Sequence, residues 1–190
     1  LYPATGERKS IPWTIHEDLL PEPRPFAGTD VPRDIFKLFV GWSWDKLIRA
    51  SFVREYGLRF QEIRTTNDML FVFSAVVRAE RIGIIEDVLV HHRKDVGSLS
   101  VTREKSWGCF YEALCALGGQ RRAWDLYERF ERDYLNYCVH AALWNVRTLA
   151  EPTRTLLTQR LADEWFDALG VPAHDEAYYY NKGEYEEFLR

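Results

Sequence analysis

Residues 69–79, Met-Leu-Phe-Val-Phe-Ser-Ala-Val-Val-Arg-Ala, limit the possible folds more than any other stretch. They carry apolar side chains on nearly every face of a helix. A helix of that kind needs other elements wrapped around it, so it reads as the buried centre of its domain. Thr65-Thr-Asn-Asp68 opens it. Asp68 then stands at the first turn, where two readings compete. One is a capping carboxylate that complements the helix dipole. The other is a general base, held rigidly by a buried mount at the floor of a cleft. The dipole and nearby Arg64 are expected to lower its pKa.

The elements around this helix read as mixed. Residues 1–30 are rich in Pro and Gly and suggest short strands and an irregular loop. Asp30 and Pro32 can start a helix that runs through residues 35–39 to Gly41. A second helix is expected from about residue 46 to 56, with Gly57 as its C-cap. Residues 58–63 alternate like a short extended segment. Residues 82–90 read as a strand with a turn at Glu86-Asp87, ended by His91-His-Arg93.

From residue 101 the pattern becomes helical. One helix carries Trp107, Phe110, Leu114 and Leu117 and is expected to stop at Gly118-Gly119. A long one covers 121–149, and Pro152 breaks it. Another spans 153–169 before Gly170, and a short one follows Asn181. The expected plan is therefore α/β leaning mostly α: a mixed part over residues 1–100 and a helical extension over 101–190.

Charge and motifs exclude several classes. The net charge is -4 and no Lys/Arg stripe forms, which argues against nucleic-acid binding. No stretch approaches the roughly 18 apolar residues of a membrane span. Cys109, Cys115 and Cys138 have no metal spacing and read as reduced thiols of a cytoplasmic protein. No Gly-x-Gly-x-x-Gly, Walker loop, His-Glu-x-x-His, Gly-x-Ser-x-Gly or Asp-x-Asp pair is present. The chain therefore offers no recognisable element for a nucleotide or its metal. Its start at Leu1, inside a turn-like Leu-Tyr-Pro-Ala-Thr-Gly, reads as an interrupted hairpin, so the N-terminus is expected to be cut.

Other residues could carry chemistry. Trp42 and Trp44 flank Ser43 before a helix; exposed, they would stack on a sugar face, and buried, they would anchor the helix. Lys46 follows them. Arg93 with Gly97-Ser-Leu-Ser100 suits a diphosphate, through a guanidinium fork and a loop of hydroxyls and free N–H groups. His91 or His92 is a candidate metal ligand beside the structural reading.

Taken in order, these segments resemble a known family. Trp44-Asp-Lys-Leu47, Phe52-Val-Arg-Glu-Tyr-Gly-Leu-Arg-Phe60, Asn67-Asp68 opening an apolar helix, Ile84-Ile-Glu-Asp-Val-Leu-Val-His-His-Arg93 and Gly97-Ser-Leu-Ser100 resemble the second half of inverting family-2 glycosyltransferases. The likeness is to bacterial enzymes of cell-surface polysaccharide synthesis and covers about residues 40–105. It implies the acceptor-side half of a GT-A fold, acting on a nucleotide-sugar donor and a glycan acceptor hydroxyl. Asp68 would be the base. Trp44 and Lys46 would line the acceptor side, Asn67 would take the place of the first acid of the pair, His91 or His92 with Arg93 would lie near the leaving diphosphate, and Ser98 and Ser100 would belong to the flexible loop. Asn67 stands where the family has an acid, which removes a charge. The resemblance implies a magnesium or manganese ion in the full-length enzyme and none bound to this piece, which would then be inactive alone. It also implies a cytoplasmic location, extending to the inner face of the membrane. The alternatives are a non-catalytic sugar- or protein-binding module on the same scaffold, and a helical interaction protein using residues 101–190.

Overall fold

The computed structural model of the chain describes residues 14–92, 102–171 and 174–189. They fall into two compact units. One holds residues 14–62, 67–92 and 102; the other holds 63–66 with the described residues from Arg103 onward.

In the first unit the apolar stretch forms helix α3 (Met69–Arg78), and Met69, Val72, Phe73, Ala75, Val76 and Val77 are buried. Two elements wrap it. The short helix α1 (Ile35–Leu38) buries Ile35, Phe36 and Leu38, and Phe36 meets Phe73 edge to face at 5.3 Å. The 3-10 turn Gly28–Asp30 lies against the C-terminal end of α3, where the Gly28 N–H donates to Ala79 O at 2.8 Å. A Cβ on Gly28 would come within 2.1 Å of Val76 O, so only glycine allows this approach. Helix α2 (Ala50–Glu55) ends before Gly57, whose φ of 59° is the left-handed cap conformation expected there.

Among the described residues, the mixed α/β part expected for residues 1–100, and the GT-A half-fold with it, does not form. Among the described residues the protein is helical. Its only β pairings are two isolated antiparallel bridges, Ile15 with Phe39 and Phe26 with Ile82. The physical reason lies in pairing. Pro21, Pro23 and Pro25 remove ladder donors beside Phe26, so that contact cannot extend. Residues 83–90, expected as a strand, make no backbone hydrogen bond among the described residues. Apolar alternation alone does not make a sheet when no extended neighbour lies alongside.

Two helix boundaries also differ. α1 begins only at Ile35 because Asp34 sits at φ 54°, outside the right-handed helical region. α2 begins at Ala50 rather than near Lys46, because the Lys46 side chain folds back onto the preceding loop.

The second unit is built on helix α4 (Cys109–Ala123) and helix α5 (Tyr127–Thr148), joined through Trp124, Asp125 and Leu126. α4 does not stop at Gly118-Gly119. Gly118 is buried, and a Cβ there would lie 2.7 Å from the Tyr134 hydroxyl, which donates to Leu114 O at 2.9 Å. The glycine serves close packing of α5 on α4, not termination. Helix α6 (Thr153–Arg160) runs through a π turn (Leu161–Trp165) into α7 (Phe166–Leu169), which Gly170 ends at φ 80°. Helix α8 (Lys182–Phe188) is capped by Asn181, whose side chain accepts from the Glu184 N–H at 3.1 Å. Glu184 is buried against α5 and meets His140 Nδ1 at 2.7 Å. No helix among the described residues is long and apolar enough to cross a membrane.

Arg121 is the anomaly of this core. It is 1% exposed, and none of its three guanidinium nitrogens has a hydrogen-bond partner. It rests on aromatic faces, 3.8 Å from the Tyr134 ring centre and 5.1 Å from that of Tyr127. Cation–π attraction then offsets only part of the cost of removing the charge from water. Arg121→Met should therefore leave stability within about 1 kcal/mol or raise it. Leu117→Ala in the same core should cost about 2–5 kcal/mol. In the first unit, Gly28→Ala should cost about 1–3 kcal/mol through overpacking. Urea unfolding of the three variants checks this. A large loss for Arg121→Met would reveal an anionic partner that the geometry does not contain.

Candidate functional site

The site grows from the start of α3. Asp68 is its N-terminal flanking residue, and its carbonyl accepts from the Val72 N–H at 2.9 Å. Its side chain does not cap the helix. The carboxylate instead accepts from its own N–H and from the N–H of Ser43, in the loop before α2. This loop carries the two tryptophans.

Lys46 holds that loop. Its Nζ donates to Val40 O at 2.7 Å, to Trp42 O at 2.8 Å and to Asp45 Oδ1 at 2.7 Å. An ammonium has three N–H donors, and all three are engaged by protein here. Lys46 thus acts on the site through the backbone it fixes and through its charge. Burial lowers its pKa, with the hydrogen bond and charge of Asp45, then the charge of Asp68, opposing that fall.

Asp68 shifts the other way. Desolvation raises its pKa, against the Asp68 and Ser43 N–H groups and the Lys46 charge; the like charge of Asp45 adds to the rise. The lowering expected from the helix dipole and Arg64 is overturned. The half-buried carboxylate loses more hydration than these donors and Lys46 return. The direction matters, because a carboxylate above its ordinary range is a better proton acceptor near neutral pH.

The rings close beside this pair. Trp42 and Trp44 stack at 4.8 Å, Trp44 and His92 stack at 5.0 Å, and Trp42 lies 5.9 Å from His92. Trp44 keeps 37% of its surface exposed. Trp44, Asp45, Lys46, His91 and His92 line one recess of about 780 Å³. Its remaining walls include Phe52, Tyr56 and Val76. Asp68 is not part of that lining; its charge couples to Lys46 and Asp45, which are.

The structure thus brings together Asp68, Trp42, Trp44, Lys46 and His92, and adds the Ser43 backbone and Asp45. Asn67 is exposed, and its backbone oxygen accepts from the Gln61 N–H at 3.0 Å. Arg93, Ser98 and Ser100 lie outside the described residues. His92 packs as a ring in the cluster, and its Nδ1 is buried without a hydrogen-bond partner. Among the described residues no three of His, Cys, Asp and Glu converge to hold a metal ion. Asp45 and Ser43 escaped sequence reasoning. The Ser43 contact is made by its backbone, which side-chain identity does not reveal. Asp45 follows Trp44 directly, and its pairing with Lys46 was a local signal open to reading.

Comparison with protein-family models, with curated proteins and with solved structures finds no match to this chain.

The raised Asp68 pKa fixes a pH prediction. A carboxyl with a raised folded-state pKa favours the folded state below the ordinary carboxylate range, and that contribution is withdrawn as pH rises through the shifted value. Asp68→Asn removes this titration and keeps an oxygen that accepts from Ser43. Measured by urea unfolding, the variant should gain on the wild type as pH rises above the ordinary carboxylate range of about 4. A variant that loses ground over that rise would show that the carboxylate stabilises the fold.

Proposed function

We propose that the first unit serves the acceptor side of an enzyme that transfers a sugar from a nucleotide-sugar donor to an acceptor hydroxyl with inversion. Asp68 takes the proton from that hydroxyl as the new bond to the anomeric carbon forms and the bond to the nucleotide diphosphate breaks. The observation that carries this reading is the state of Asp68. Its carboxylate is half-buried, held by the Ser43 N–H, and pushed up by desolvation rather than spent on capping its helix. A carboxylate in that state accepts a proton late in a displacement more readily than a fully solvated one.

The neighbouring groups fit the same role. Lys46 lies close enough to influence the Asp68 charge while its three donors are engaged by protein. Its positive charge keeps Asp68 available as a base by limiting the rise in its pKa. The exposed side of Trp44, braced by Trp42 and His92, offers an apolar face to a sugar ring. The divalent cation expected with the donor finds no ligand set among the described residues, so this account concerns acceptor-side chemistry alone. Donor binding is assigned to protein beyond this sequence, which holds no Asp-x-Asp pair. Synthesis of a cell-surface polysaccharide is the setting that the sequence resemblance suggests, at the inner face of the membrane.

A second reading keeps the site without the chemistry: a sugar-binding module. Asn67 favours it, since it replaces the acid the resemblance would place beside Asp68. The two part on one experiment. In the protein that supplies donor binding, Asp68→Asn should lower kcat by about 10²–10⁴-fold with little change in KM. A kcat within threefold of wild type would remove Asp68 as the base. Trp44→Ala should instead raise KM for the acceptor. Glycan binding that Trp44→Ala abolishes, in a protein with no transfer at all, would establish the binding module.

A further inference from the structure

A second recess, of about 670 Å³, adjoins the first and is lined by Arg24, Pro25, Arg49, Arg81, Gly83, Ile84 and Glu86. Arg49, Arg81, Gly83 and Ile84 belong to both recesses. Arg24 pairs with Glu22 at 3.2 Å. The side chains of Arg49 and Arg81 make no ion pair or hydrogen bond among the described residues. Glu86, the one carboxylate lining this recess, has no ion pair either, and the three guanidinium groups leave positive charge in excess. Arg49 and Arg81 thus both line the region where the smaller recess opens into the larger one, and Glu86 is the carboxylate of the smaller one.

The larger recess has mixed walls, with Glu55, Glu80 and Asp87 among its charged residues. Phe52, Tyr56, Val76 and Ile84 give it apolar walls. At its edge Val88 is 79% exposed and Leu89 63%, an apolar surface that water covers at a cost. Three arginines against one carboxylate in the smaller recess, and the apolar part of the larger one, select a ligand with an anionic head and an apolar body. Several guanidinium groups around one head also favour a phosphate, which offers more acceptor oxygens than a carboxylate and suits the forked donors of arginine.

We propose that these joined recesses bind a phosphorylated amphiphile, with its phosphate between Arg49 and Arg81 and its hydrocarbon chain along the walls formed by Phe52, Tyr56, Val76 and Ile84. The inference is independent of sugar transfer, because binding is read without turnover.

Calorimetric titration of the chain with monomeric dodecyl phosphate, inorganic phosphate and dodecanol tests it. Dodecyl phosphate should bind at least about tenfold tighter than either single-feature probe. The double variant Arg49→Gln/Arg81→Gln, at exposed positions, should weaken dodecyl phosphate binding by about tenfold or more and leave dodecanol unchanged. Glu86→Gln should tighten it by removing a like charge. Inorganic phosphate binding as tightly as dodecyl phosphate would reduce the site to a bare anion site and overturn the proposal. Equal binding of dodecanol, or indifference to the double arginine variant, would overturn it as well.

Discussion

The ammonium of Lys46 organises the first unit's chemistry. By bonding to Val40 O, Trp42 O and Asp45 Oδ1 it closes a loop that has no regular secondary structure to hold it. The closure has three results. It delays α2 to Ala50, brings the Ser43 N–H to the Asp68 carboxylate, and sets Trp42 and Trp44 face to face. A half-buried ammonium is costly unless all its donors are used, and here they are. The loop conformation and the state of Asp68 are therefore consequences of one satisfied charge.

α3 supplies the rigid counterpart. Its apolar faces are covered by α1 and by the Gly28–Asp30 turn, and the closest approach is set by the missing Cβ of Gly28. Such packing keeps the first turn of α3 in place while Asp68 stays at the boundary between core and solvent. Arg121 in the second unit is the contrasting case. Its charge is also buried, but its guanidinium has aromatic faces in place of hydrogen-bond partners, so it adds little net stability. Local geometry, more than burial itself, decides what a buried cation does.

Much of the helical structure was legible. An all-round apolar run located α3, helical spacing of apolar residues located α5 and Asn181 marked the start of α8, while Gly57 and Gly170 took the left-handed conformation expected of helix ends. The glycines of α4 misled, because a glycine serves close approach as readily as termination, and only the position of Tyr134 distinguishes the two. The strand expected over residues 82–90 misled for a related reason. Its alternation describes one chain, whereas a sheet is a property of two. Only Ile82 finds a partner, at Phe26.

The candidate site divides in the same way. Asp68, Trp44 and Lys46 could be singled out by residue type and position. The direction of the Asp68 shift could not, because it reverses with the balance between lost hydration and a backbone N–H from a distant loop. Sequence alone determined which segments are helical, since periodicity and cap residues act within a few neighbours. Tertiary structure decided the absence of a sheet among the described residues, the stacking of His92 on Trp44 and the raised proton affinity of Asp68. Each of these depends on groups far apart in the chain, whose distances no local pattern encodes.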